Sequence, residues 1–368
     1  VTPLSLVKTL LLLALSLISI TSQAELTLRI LTWQGYTPTS MLEQFKAYIK
    51  KKHNEELVFD INYVSHADEF FEFIRSESVD IIAPSHNIIH DDRYQLISNK
   101  LLLPINLKNI PNYKDIIPSL QFAPYTTINN EIYSVPMLHG PYGLIYDAEA
   151  VSKAPSSWQV LWDAEYKNRY TISYDYFEAN VYITALALGV PKDKLTDIIT
   201  LQAYGVPSAL IELVENSQNM WRGVDSPEDL KGNVIATSWG FSLPQLKAMK
   251  MKWKMADIAE GVTGWVDGYA LTSSLKGQPK LKLIAEEWIN FCISKEVQLE
   301  VVVKLLGSSP VNISIAEQLT AEQLEQSHFN DLNYFKEQRI LWPLLTKRQR
   351  NYLKTIWDNA LQFSGKVK

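Results

Sequence analysis

Two acidic–aromatic units are the residues best suited to chemistry. In Trp265-Val266-Asp267, strand alternation puts the indole and the carboxylate on the same side. An ammonium group can use both, through cation–π attraction and a charge-assisted hydrogen bond. Taken alone, the same residues also describe a core tryptophan and a surface aspartate. Asp175-Tyr176-Phe177-Glu178 lies between an apolar strand and an apolar helix. It reads as an N-terminal cap or as ligand-facing acids, and the two readings can coexist. Trp33 and Tyr36, with Trp239 in Ser238-Trp239-Gly240, repeat the aromatic theme. Aromatics with acids at strand ends describe a slot for an organic cation.

Other chemistries find little support. The chain has no GxSxG, HExxH, P-loop or GxGxxG. His86 and His90 are four apart but read as polar residues at a loop-to-helix junction, and the six histidines show no metal-ligand spacing. Ser85 beside His86 could suggest nucleophile and base, but adjacent residues point apart and no third member is marked. The expectation is a binding protein, not an enzyme, with no metal and no cofactor.

These residues need elements to position them. Leu26 to Leu31 alternates and reads as a strand ending at Thr32-Trp33. Residues 40–52 read as a helix with Leu42, Phe45, Ala47, Tyr48 and Ile49 on its apolar face. Leu57 to Val64 is a second strand, Asp68 to Ser76 a second helix, and Val79 to Ala83 a short buried strand stopped by Pro84. This βαβαβ order is that of an open α/β sheet, whose ligands bind beyond the carboxyl ends of strands. Prolines 104, 111, 118 and 124 break up a connecting region. A second α/β block follows, with strands at Tyr142 to Tyr146 and Tyr170 to Ser173 and a helix to about Leu188. Trp265 to Leu271 and Lys282 to Ile293 resume strand and helix, and Thr320 to Phe363 reads as helical. Two α/β lobes joined by extended crossings follow from this order, and one continuous sheet is not expected.

Composition narrows the partners. With 368 residues and 46% hydrophobic content, a disordered or fibrous chain is excluded, and the length allows two or three domains. Lysine plus arginine number 35 against 40 acids, a formal charge of −5, which argues against a nucleic-acid partner. Cys292 is the sole cysteine, so no disulfide can form within one chain. Lys8, the apolar run from Leu10 to about Ile20, and small residues at Ser22 and Ala24 read as a secretory signal over residues 1–24, cleaved before Glu25. The run is too short for a membrane span. No cysteine follows it for lipid attachment, so a periplasmic protein is expected.

The runs Trp33-Gln34-Gly35-Tyr36, Val79-Asp80-Ile81-Ile82-Ala83-Pro84-Ser85 and Tyr133-Ser134-Val135-Pro136 come in an order that resembles a known family. Ser157-Trp158-Gln159-Val160-Leu161-Trp162, Glu165-Tyr166-Lys167, Asp175-x-x-Glu178, Trp265-x-Asp267 and Gly307-Ser308-Ser309-Pro310-Val311-Asn312 continue the series. The resemblance is to the periplasmic polyamine-binding proteins of spermidine/putrescine ABC importers. It covers most of the chain, and is thinnest from Val190 to Gly232 and after Ile315. It implies an α/β, two-lobed periplasmic-binding-protein fold of type II character with a hinge between the lobes. Lobe 1 would comprise residues 25–135 plus about 268–312, and lobe 2 residues 136–267 plus about 313–368. It further implies that Trp33 and Tyr36 line the slot with Ser85 beside them, and that Asp175 and Glu178 are the acids of the second lobe. Trp239 and Trp265 would sandwich a methylene chain while Asp267 holds an amine.

Four positions depart from the family. Gly35 stands where an acid is common, Asn87 where an aromatic is usual, His139 in place of a tryptophan and Ser308 in place of a tyrosine. The indole and acidic centre is retained while one end is altered. The resemblance implies a monomer that hands a polyamine to an inner-membrane ABC permease. The alternative is a polyamine sensor that signals to a membrane receptor, similar to norspermidine sensor proteins.

Overall fold

In the computed structural model, which describes residues 25–330, 334–335 and 339–366, the chain opens on strand β1, Leu26–Trp33. Helix α1, Thr39–His53, follows, buries Met41, Phe45 and Ile49 at a spacing of four and ends at Asn54 in the left-handed region. The expected apolar face is therefore rotated by part of a turn, leaving Tyr48 exposed. Strand β2, Leu57–Val64, runs parallel to β1 in full register, from Leu26 opposite Leu57 to Trp33 opposite Val64. Helix α2, Glu69–Arg75, leads to β3, Ile81–Ile82, on the other side of β1. Arg29 and Asp80 lock this edge through a salt bridge of 2.7 Å. The sequence reading of the opening βαβαβ unit holds element by element.

Two long strands organise the rest. Strand β4, Val135–Asp147, is longer than the Tyr142 to Tyr146 segment expected, because the chain stays extended through Pro136 and Pro141. Strand β5, Tyr170–Ser173, feeds helix α3, Phe177–Ala187, and is followed by helix α4, Val206–Asn216, and strands β6, Asn219–Trp221, and β7, Ile235–Ser238. Strand β8, Val262–Thr272, lies antiparallel to β4. Helix α5, Pro279–Cys292, packs Trp288 edge-on against Phe45 at 5.1 Å.

The order along the main sheet is β2-β1-β3-β8-β4-β7-β5-β6. The ladder is thus continuous, against the expectation of two separate sheets. β4 and β8 are long enough to serve both strand groups. Ala270 and Leu271 of β8 pair with β3, while Gly143 to Tyr146 of β4 pair with β7. Between these ends the β4–β8 register shifts at Asp267/Gly268, a bulge. Such bulges re-aim side chains next to functional sites.

The final segment corrects the sequence reading, which made Thr320 to Phe363 helical. Helix Ala321–Ser327 is followed by strand β9, Arg339–Leu341, parallel to the start of β8, and only then by helix α6, Lys347–Phe363. Pro343 has no backbone N–H, so a helix could not run through it without losing a bond. The expected signal at residues 1–24 lies outside the described residues. Among the described residues no helix is long and apolar enough to cross a membrane.

Candidate functional site

Asp267 sits at the β8 bulge, 4% exposed. An isolated antiparallel bridge joins it to Ser85, the residue that opens the short helix His86–Ile89 after β3. The Ser85 hydroxyl donates to its Oδ1 at 2.6 Å and the Tyr36 hydroxyl to its Oδ2 at 2.8 Å. Both partners are neutral, and among the described residues no salt bridge reaches this carboxylate. Burial pushes its pKa up to about 7, with the two hydroxyls pulling in the opposite direction. Burial, and next the Asp267 charge, push the Tyr36 phenol well above its ordinary value, so it remains a donor.

Aromatic rings wall the slot over this carboxylate. Trp33 ends β1 and meets Phe70 edge-on at 5.6 Å. Trp239 follows β7, where its backbone N–H donates to Asp225 and its indole N–H to the Gly223 carbonyl. Trp265 lies flat across β4. A Cβ on Gly140 would come within 2.5 Å of its ring, so this approach requires glycine. The sandwich expected of Trp239 and Trp265 is not two parallel plates: the rings meet at 78° with centroids 6.4 Å apart. Tyr176 and Trp342 complete the walls, at 4.7 and 5.6 Å from Trp239. The indole nitrogens of Trp33, Trp265 and Trp342 are buried without a partner among the described residues.

The slot gives about 40 Å³ to the centres of water-sized molecules, and it shares Trp33, Ser85, Tyr176 and Trp342 with a wider groove of about 320 Å³. Asp175 and Glu178 line that groove, not the slot. The capping reading of Asp175 is overturned. It precedes the N-cap residue Tyr176, which makes no side-chain cap, and it accepts from the Gly223 N–H at 2.9 Å and from Arg222 at 3.0 Å. Through Gly223 it steadies the carbonyl that holds the Trp239 indole. Glu178 lies in the first turn of α3, where a helix favours negative charge, and is paired with Arg350 of α6. Burial raises its pKa and the guanidinium works against that. Thus Trp33, Tyr36, Ser85, Trp239, Trp265 and Asp267 gather around one slot, and Asp175 and Glu178 occupy the adjoining groove with cations already bound.

Sequence reasoning missed Trp342 and Arg350. Trp342 is held by its N–H to the Gly264 carbonyl at 3.1 Å, and its own carbonyl meets the His86 imidazole at 2.9 Å. The Val266 N–H donates to the other ring nitrogen of His86 at 3.3 Å, which leaves that imidazole neutral and locked as a strut. Ser85 and His86 therefore point to different partners and form no nucleophile–base pair. Pro343 was the available signal that the segment turns before α6. Of the four positions at the altered end, Ser308 donates to the His139 carbonyl at 3.0 Å and His139 packs edge-on against Phe335, so Ser308 and His139 are neighbours. Asn87 lines the groove. Gly35 has φ +92° and a Cβ there would stand 3.2 Å from Leu306, so the chain here is built around the absence of a side chain.

Comparison with known proteins identifies the family and the fold. The family model for bacterial extracellular solute-binding protein matches residues 76–338. Spermidine/putrescine-binding periplasmic protein 1 of Haemophilus influenzae is 23% identical over 331 residues, covering 84% of this chain and 86% of its own. The solved spermidine/putrescine ABC transporter substrate-binding protein PotD of Streptococcus pneumoniae shares the fold at a TM-score of 0.73, with 19% identity over 92% of this chain and 99% of its own. The PBP MotA from A. tumefaciens B6, solved in complex with glucopine, also shares it, at a TM-score of 0.65 and 14% identity over 93% of this chain and 99% of its own.

Proposed function

We propose, for a chain that belongs to the bacterial extracellular solute-binding protein family, that the Asp267 slot captures an ammonium group of an amine of the spermidine/putrescine class. The family binds solutes and performs no chemistry on them. One observation carries the proposal: a buried carboxylate, held by two neutral hydroxyls and walled by indoles, with no cation paired to it among the described residues. Such a group is costly as an anion until a cation enters. An alkylammonium meets both needs, charge for Asp267 and ring faces for the methylenes at roughly 0.8 kcal/mol per buried CH₂. The hydroxyls of Ser85 and Tyr36 keep the carboxylate oriented and add no competing charge.

In this reading residues 25–135 with about 268–312 form one lobe and 136–267 with about 313–368 the other, with β4 and β8 as the crossings. Ser85 and Tyr36 approach Asp267 from the first group of strands, while Trp239 and Tyr176 approach from the second. Ligand charge would favour the closed arrangement because closure desolvates acid and ammonium together. The protein would act in the periplasm as a monomer that delivers the amine to an ABC permease, a role supported by the names of its relatives.

Calorimetry with putrescine, spermidine, norspermidine and cadaverine tests the class, with the opine-type solute glucopine as the comparator. Asp267→Asn keeps the shape and removes the charge. Losing one partner of a desolvated charge pair costs about 2–5 kcal/mol, or roughly 30-fold to several-thousand-fold in affinity. Equal amine binding by Asp267→Asn and the parent protein would place the site elsewhere. Tighter binding of glucopine than of any amine would replace the amine class with an opine.

A further inference from the structure

The slot shares Trp33, Ser85, Tyr176 and Trp342 with the groove, so a linear amine anchored on Asp267 would extend past Tyr176 and Trp342 into it. There it meets acids that are already neutralised. Arg222 lies 3.0 Å from Asp175 and Lys354 2.8 Å from Asp358. Arg350 is paired with Glu178 and stands 3.5 Å from Asp68, so it bridges a residue at the start of α2 and one at the start of α3. The guanidinium also lies 5.1 Å over the Phe177 ring. It is the least exposed of these cations, at 17%, against 64% for Arg222 and 58% for Lys354. Its helix is anchored: the Trp357 indole donates to the Tyr174 carbonyl at 3.2 Å, and a Thr346–Gln349 capping box fixes the first turn. Arg350 lies beyond residue 338, where the match to the family ends.

We propose that Arg350 is a specificity-determining residue, a resident cation that holds the place of a second ammonium on Glu178, so that the site takes one ammonium at Asp267 and discriminates against long triamines. This rests on the amine reading of the Asp267 slot. Among the described residues every carboxylate lining the groove already has a cation on it, and a further ammonium there would also face the Arg350 and Lys354 charges. A monoamine brings no second ammonium to them. Arg350 cannot swing aside cheaply, because a buried Glu178 left without its partner is strongly disfavoured.

The test is the ratio of spermidine to n-butylamine affinity, measured by calorimetry at pH 8. The parent protein should bind spermidine at least tenfold more weakly than n-butylamine. Arg350→Gln, which releases Glu178, should move the ratio at least tenfold toward spermidine. Arg350→Lys, which keeps the charge, should hold the parent ratio. The double variant Arg350→Gln/Glu178→Gln has no carboxylate to release and should show no gain. If Arg350→Gln does not fold by circular dichroism, the parent ratio and the Arg350→Lys ratio decide. Spermidine binding the parent more tightly than n-butylamine, or an unchanged ratio in a folded Arg350→Gln, overturns the role of Arg350 while leaving the amine slot standing. Failure of every amine to bind the parent overturns the slot itself.

Discussion

Binding of an amine at Asp267 should release a proton, and the amount follows from the structure. Its carboxyl titrates at about 7 in the folded protein, raised from 3.8 by burial and held back by the Ser85 and Tyr36 hydroxyls. Ionising it in place costs about 4 kcal/mol relative to water, at 1.36 kcal/mol per pH unit. Because the folded state retains its proton where the unfolded state has lost it, stability of the free protein declines as pH rises from 3.8 through 7. The ammonium needs the anion, so binding displaces the proton. At pH 6 about 0.9 proton should leave per amine bound, and at pH 8 about 0.1. Affinity should fall roughly tenfold from pH 8 to 6 and about 100-fold from pH 8 to 5. Calorimetry in buffers of different ionisation enthalpy reads the proton count directly. Asp267→Asn should lose both the release and the slope. A flat affinity between pH 5 and 8, with no buffer dependence at pH 6, would refute a buried carboxyl as the anchor.

Two further outcomes concern the frame around the slot. Burial pushes His86 down from 6.5 to about 4, with the nearby His90 acting in the same direction and the hydrogen bond to Trp342 opposing both. The unfolded chain takes up the proton first, so this group removes about 3 kcal/mol of stability as pH falls from 6.5 to 4. Urea unfolding at pH 7 and 4.5 should show a loss attributable to His86 in the parent that His86→Gln lacks, and equal pH dependence in the two proteins would contradict the buried strut. Gly35→Ala should cost about 1–2 kcal/mol, because the left-handed backbone and the approach to Leu306 both oppose a side chain. Urea midpoints unchanged by that substitution would show that the turn can relax to admit a side chain.

The opening βαβαβ unit was legible because each of its elements is written in local spacing: alternation in β1, helical periodicity in α1 (though the buried stripe is Met41, Phe45 and Ile49, part of a turn from the face expected), and a short apolar run at β3. Six of the eight candidate site residues gather at the slot: Trp33, Tyr36, Ser85 and Trp239 lie at or just past the ends of β1, β3 and β7, while Trp265 and Asp267 come from the middle of β8, beside its bulge. Local sequence could not decide the charge state of the other two. Asp175 and Glu178 read as a helix cap or as ligand-facing acids until Arg222 and Arg350, 47 and 172 residues away, are brought to them. The same holds for the walls. Trp239 and Trp265 form an edge-to-face pair, not a sandwich, because β4 lets Trp265 lie across Gly140. Trp342 enters the slot because β9 pairs with β8, a contact no short-range pattern announces. What the sequence determined by itself is the opening elements and the residue types along them, since periodicity and chain stiffness are local, whereas β9 and the full length of β4 were not legible there. The tertiary structure decided which charges are neutralised and which carboxylate is left to a ligand, since pairing and desolvation depend on distances between residues remote in the chain.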